Sequence, residues 1–206
     1  LDPPAANPIG YLEVFGDPPG FLIAALDFHS PEGTEPALQF MNLLRYNMDG
    51  DLTDTVATLP FGSYVRVDER LRRIGRPIFE SLGAFTTGRE ALFVSDGSRP
   101  EVQAYGNDGR LLRIIRWQPP DRKVLPGDAE AFKDRVLDGA EGFRLEALQL
   151  EFDVVPVADF FPAVRDIRTS PKGWLWVRTY RPPRSDFGPW WAFDSRGQIR
   201  CQLTLP

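Results

Sequence analysis

The chain is poor in the residues that carry most enzymatic chemistry. Among 206 residues there is one cysteine, Cys201, and one histidine, His29. A single cysteine excludes an internal disulfide and any C-x-x-C pair. Cys201 reads instead as a small apolar residue on the last strand. A single histidine excludes a multi-histidine metal site, and any Ser-His-Asp arrangement would depend on His29, which sits in the polar stretch DFHSPEGTEP. The G-x-S-x-G elbow, the phosphate loop and the H-E-x-x-H motif are also missing. No apolar run approaches the ~20 residues that a membrane-spanning helix needs. Nor is there a surplus of basic residues: 24 Lys and Arg stand against 29 Asp and Glu, a net charge of −5. That argues against bulk affinity for nucleic acid, which a basic surface drives.

What the chain has in quantity is punctuation. Its 20 prolines and 18 glycines lie between short apolar runs rather than in one tract, which marks turns between many short strands. Residues 1–9 read as a tail and residues 10–206 as one domain. Three stretches share a pattern of strand, tight turn and strand. They are NLLRYNMDGDLTDTVATL around Asp49-Gly50, VQAYGNDGRLLRIIRW around Asn107-Asp108-Gly109, and WWAFDSRGQIRCQLTLP around Ser195-Arg196-Gly197. Asn-Gly and Asp-Gly tolerate the positive φ that tight hairpins require. Each is preceded by a strand, a turn ending at Gly20, Gly88 or Gly173, and a strongly apolar strand: FLIAAL, ALFVSD and WLWVRT. The unit is therefore four strands, and its apolar strand is buried on both faces. Such a unit must stack on copies of itself, which is the logic of a β-propeller blade.

The predicted fold is all-β: a partial β-propeller of about three four-stranded blades over residues 10–60, 77–117 and 160–206. Two insertions separate them. FGSYVRVDERLRRIGRP (61–77) reads as an inter-blade loop, and residues 118–156 read as a short helical insertion over one face of the ring. In the second insertion Asp128 is the expected N-cap of AEAFKDRVLD, while FRLEALQLEF fits either a helix or a strand.

The patterns YGNDGRLLRIIRW and SPKGWLWVRTYRPP…WWAFDSRGQI resemble the bacterial six-bladed β-propeller proteins, the NHL-repeat and TolB-like group, over about residues 10–206. The resemblance implies a rigid frame with loops at its rim and a central channel lined by the first strand of each blade. It also implies a periplasmic or extracellular location, and a chain that starts at Leu1 rather than Met is compatible with a removed leader. Three units are half of such a ring. The chain is thus read as a piece of a longer propeller, the alternative being that a second chain completes the ring.

Three groups of residues are candidates for a site. Trp174 and Trp176 alternate on one strand and Trp190 follows on the next, as inter-blade packing or as a stacking platform for a sugar or peptide. Arg70, Arg72 and Arg73, with Arg66 and Arg76, form a cluster suited to an acidic ligand or a docking partner, or a solvated loop. Glu80, Asp96 and Asp166, with Glu13 beside them, could converge on the channel and hold Ca²⁺, the only cofactor the sequence suggests, or act as surface and turn-capping acids. The leading functional expectation is a non-enzymatic ligand- or protein-binding scaffold whose partner is a protein, peptide or glycan. The alternative is a channel-based, metal-assisted hydrolase or lactonase-like enzyme.

Overall fold

The computed structural model describes residues 7–15, 19–31, 35–70, 73–183, 185 and 188–205, the side chains of 7–13 and 205 excepted. The described chain is mostly β, with three antiparallel sheets and two helices. The first sheet runs β1 (Asn7–Phe15), β2 (Gly20–Asp27), β3 (Ala37–Tyr46), β4 (Leu52–Asp68) and β5 (Arg73–Gly75), in that spatial order. The second runs β6 (Ala84–Thr87), β7 (Ala91–Ser95), β8 (Glu101–Gly106) and β9 (Leu111–Arg116). Two helices follow, α1 (Asp128–Leu137) and α2 (Gly142–Val154). The third sheet is β10 (Asp166–Thr169), β11 (Leu175–Arg178), β12 (Gly188–Phe193) and β13 (Ile199–Leu205). None of the described helices is long and apolar enough to cross a membrane.

The three hairpins form where the turn residues indicate, and they close with the same hydrogen bonds. The amides of Asn47, Gly106 and Asp194 donate to the carbonyls of Asp51, Arg110 and Gln198 at 2.9, 2.9 and 3.0 Å. In each turn a glycine takes the left-handed conformation: Gly50, Gly109 and Gly197 have φ of 90, 78 and 79°.

Counting outward from these turns puts the sheets in one frame. Leu22 lies opposite Arg45 and Arg45 opposite Asp54. Phe93, Ala104 and Arg113 form the matching row in the second sheet, and Trp176, Ala192 and Cys201 in the third. Directly opposed residues share a face. These rows therefore mark one face of each sheet, called forward here because in the first two sheets it points to the next sheet along the chain. Laying FLIAAL, ALFVSD and WLWVRT over one another puts Phe21 with Ala91 and Trp174; the register puts Gly20 there. Gly20 is not the end of the turn but the first residue of β2, pressed so close to the Tyr46 carbonyl that a Cβ would sit 2.2 Å from that oxygen. A one-residue slip exchanges the two faces of a strand.

Burial follows from this frame. The forward face of the first sheet, with Leu22, Ala24, Met41 and Leu43, packs on Leu92 and Val94 of the second. The forward face of the second, with Val102 and Ile115, packs on Ile167, Leu175, Val177 and Phe193 of the third. The β2, β7 and β11 residues that face backward (Phe21 and Ile23, Leu92 and Val94, Leu175 and Val177) are apolar in every sheet.

Several expectations are corrected. The stretch 61–77 is largely strand rather than loop: β4 continues to Asp68 and pairs with β5. It does so because Val65, fully buried, joins Val155, Ile78, Phe79 and Phe161 in a third core beneath the helices. FRLEALQLEF, which by sequence fits either a helix or a strand, is helical throughout, within α2. Gly127, not Asp128, is the N-cap of α1; Asp128 is the first helical residue, and its carboxylate accepts the Leu125 amide at 2.7 Å. β1 starts at Asn7, inside the expected tail. The first strand of the second sheet starts at Ala84, so Glu80 precedes it.

Candidate functional site

The first strands of the second and third sheets, β6 and β10, are edge strands that run close to each other; the Thr169 hydroxyl donates to the Thr87 carbonyl at 2.7 Å. A cleft of about 600 Å³ opens beside them. Met41, Phe61, Phe85 and Ile167 supply its apolar wall, and Thr86, Asp166 and Arg168 its polar groups. Asp166 accepts from Arg168 Nε at 2.9 Å, and the Arg168 side chain remains 71% exposed, so its guanidinium can still turn to a bound group.

Phe61 joins this cleft to a second set of polar side chains. The Arg76 guanidinium lies over the rings of Phe61 and Tyr64, 5.2 and 4.7 Å from their centroids, and donates to the Tyr64 hydroxyl. Glu80 stands alongside, its Oε1 accepting from the Ser63 amide at 3.0 Å and the Ser63 hydroxyl at 2.8 Å. Burial pushes the Glu80 carboxyl above the usual carboxylate range; the Ser63 hydrogen bonds and Arg76 offset only part of this. The preceding residue, Phe79, is the one described non-glycine residue with positive φ, at 63°. Its ring is anchored edge-on to Phe132, Phe161 and Tyr180, with centroids 5.3, 4.7 and 5.7 Å away. That packing holds the unfavourable backbone and turns Glu80 out toward Ser63.

No protein-family model matches this chain, and no curated protein matches it.

The three acids singled out in the sequence occupy three settings. Glu80 is bound to Ser63, Asp166 to Arg168, and Asp96 caps a turn by accepting the amides of Ser98 and Arg99 at 2.9 and 3.1 Å. Glu13 lies opposite Leu22, and its side chain is outside the described residues. Among the described residues no three of His, Cys, Asp and Glu are grouped as one ion would require. His29 is an exposed loop residue 3.6 Å from Asp27, its backbone held by the fully buried Gln39 through bonds of 2.6 and 2.8 Å.

The arginines are dispersed rather than gathered. Arg66 donates to the Pro31 carbonyl at 2.7 and 3.0 Å, and Arg73 pairs with Glu151 of α2 at 3.0 Å. Arg70 is exposed at the β4–β5 turn, and Arg72 lies outside the described residues. Two of the tryptophans come together. Trp174 and Trp176 have ring centroids 6.4 Å apart, and Trp190, on the same forward face as Trp176, carries the Arg178 guanidinium 5.8 Å from its centroid. Trp191 takes the opposite face and packs into the second core.

Sequence reasoning missed Met41, Phe61, Thr86 and Arg168. By sequence Phe61 falls in a loop, and the others carry no motif; only the structure brings four distant segments to one cleft.

Proposed function

We propose that this chain is a non-enzymatic binding module built as part of a β-propeller of the bacterial six-bladed kind. The three sheets are its blades. The shared register, the matching hairpins and the stacking of each forward face on the next sheet support this reading. The first strands β6 and β10 then face the channel, and the cleft beside them is the ligand site.

The cleft itself carries the functional reading. Its volume of about 600 Å³ lies within the ~300–1,000 Å³ typical of ligand pockets. It joins an apolar wall to a few polar groups, which suits a peptide side chain or a sugar. The test is a glycan array and a peptide library probed with the wild-type chain, Arg168→Ala and Asp166→Asn. Ligands of the cleft should bind wild type and lose about 10-fold or more with Arg168→Ala, the loss of a charged hydrogen bond. No ligand in either library, or ligands indifferent to both substitutions, would refute the assignment.

A further inference from the structure

Two faces of the sheet stack are built for packing but have no sheet against them among the described residues. One is the rear face of the first sheet. Phe21, Ile23 and Tyr46 stand there at the register positions of Leu92, Val94 and Tyr105, which in the second sheet pack on the sheet before it. Nearby on this face Val14 is 67% exposed and Phe40 38% exposed. The other is the forward face of the third sheet. Trp176, Trp190 and Leu203 stand there at the positions of Phe93, Val102 and Ile115, which in the second sheet pack on the sheet after it. Leu203 is 41% exposed. One chain thus carries both halves of the same kind of interface, at opposite ends of its stack.

We propose that these two faces bind each other between copies, so that the forward face of the third sheet in one chain packs on the rear face of the first sheet in a second. This is a head-to-tail contact, which closes into a ring when the rotation per chain allows. The internal interfaces set its register. Arg45 donates to the Asn107 carbonyl and Arg113 to the Ser195 carbonyl. Both arginines belong to the same cross-strand pair, Arg45–Asp54 in the first sheet and Ala104–Arg113 in the second, and both acceptors are the second residue of the next hairpin turn. In the third sheet that pair is Ala192–Cys201, which has no such donor. The matching acceptor in the second copy is the carbonyl of Met48, second residue of the first sheet's turn. The contact between copies therefore lacks a bond that both internal interfaces have, and it is weaker and reversible.

The test is light scattering on the full chain across a concentration series, with Val14→Glu blocking the rear face and Leu203→Glu the forward face. Wild type should rise with concentration from 23.3 kDa to twice that mass. Each variant alone should remain at one chain. An equimolar mixture should recover dimers, since each variant keeps the face that the other has lost. Cys201→Arg, which restores the missing donor, should lower the dissociation constant about fivefold or more. If either glutamate variant loses the wild-type circular dichroism, Phe40→Ser and Leu203→Ser replace the pair. A wild-type chain that stays at 23.3 kDa throughout overturns the proposal. So does a dimer that survives either block, a mixture that stays monomeric, or a Cys201→Arg chain that associates no more tightly. The cleft residues are untouched by these substitutions, so ligand binding there is scored separately.

Discussion

The guanidinium of Arg113, at the edge of the second sheet, donates to the backbone carbonyl of Ser195, in the hairpin turn of the third. One sheet earlier Arg45 makes the same bond to Asn107, with Asp54 3.6 Å away as its ion-pair partner. Arg113 is exposed and Arg45 half-buried, so the two bonds should differ in worth. Arg113→Ala should cost about 0.5–1 kcal/mol and Arg45→Ala about 1–2 kcal/mol. In a chain of this size each kcal/mol lowers the melting temperature by roughly 2–4 °C. The two belong to different interfaces, and the double variant should be additive within ~0.5 kcal/mol. Calorimetry of the three variants checks both expectations.

Gly97 and Gly173 both have φ of +78°, but only one is crowded. A Cβ on Gly97 would lie 2.2 Å from the Leu82 carbonyl oxygen, whereas one on Gly173 meets nothing within 4 Å. The Gly97 carbonyl also accepts the amides of Ala163 and Val164, at 2.8 and 3.1 Å, tying the second sheet to the entry of the third. Gly173→Ala should cost the left-handed penalty alone, about 1–2 kcal/mol. Gly97→Ala should cost clearly more, ~3 kcal/mol or above. Urea denaturation of the pair gives the comparison, and equal costs would contradict it.

Phe161 sits at the centre of the helical core, its ring stacked on Tyr180 with centroids 5.3 Å apart. Phe161→Ala should destabilise by about 3–5 kcal/mol. Hydrogen exchange should show the loss first in α1 and α2, with the three sheets protected for longer. Uniform loss across sheets and helices would show that the helical layer is not a separate unit.

Glu80 sets a pH dependence. Its carboxyl is held above the usual range by burial, so the folded chain retains this proton to higher pH than the unfolded chain does. The unfolded state then binds fewer protons in that window, and stability falls as pH rises from the ordinary glutamate value through the raised one. Glu80→Gln keeps an oxygen to accept from Ser63 but cannot ionise. The variant should match wild type in acid and exceed it at neutral pH. A difference that is constant with pH would contradict this assignment.

Much of the fold was legible because short-range signals wrote it. Asn107-Asp108-Gly109 and Ser195-Arg196-Gly197 fix turns through backbone chemistry that needs no distant partner. The frame between units was harder. Gly20 looks like a turn residue, yet its place in β2 depends on contact with Tyr46, which only the folded sheet supplies. Likewise Val65 and Val67 alternate as a strand should, but the arginines around them suggest a loop, and the apolar surface they meet comes from α2 and residues 155–161. The candidate acids were picked by type, and their partners, Ser63 for Glu80 and Arg168 for Asp166, were not visible because spacing alone does not set side-chain direction.

The single cysteine offers the most direct measurement. Cys201 lies half-buried on the forward face of the third sheet, opposite Ala192 and in line with Trp176. Its rate of modification by a thiol reagent should fall as protein concentration rises, because a second copy covers the face, and Val14→Glu should abolish the fall. A rate that is the same at every concentration would mean that the face stays open and would contradict the contact between copies.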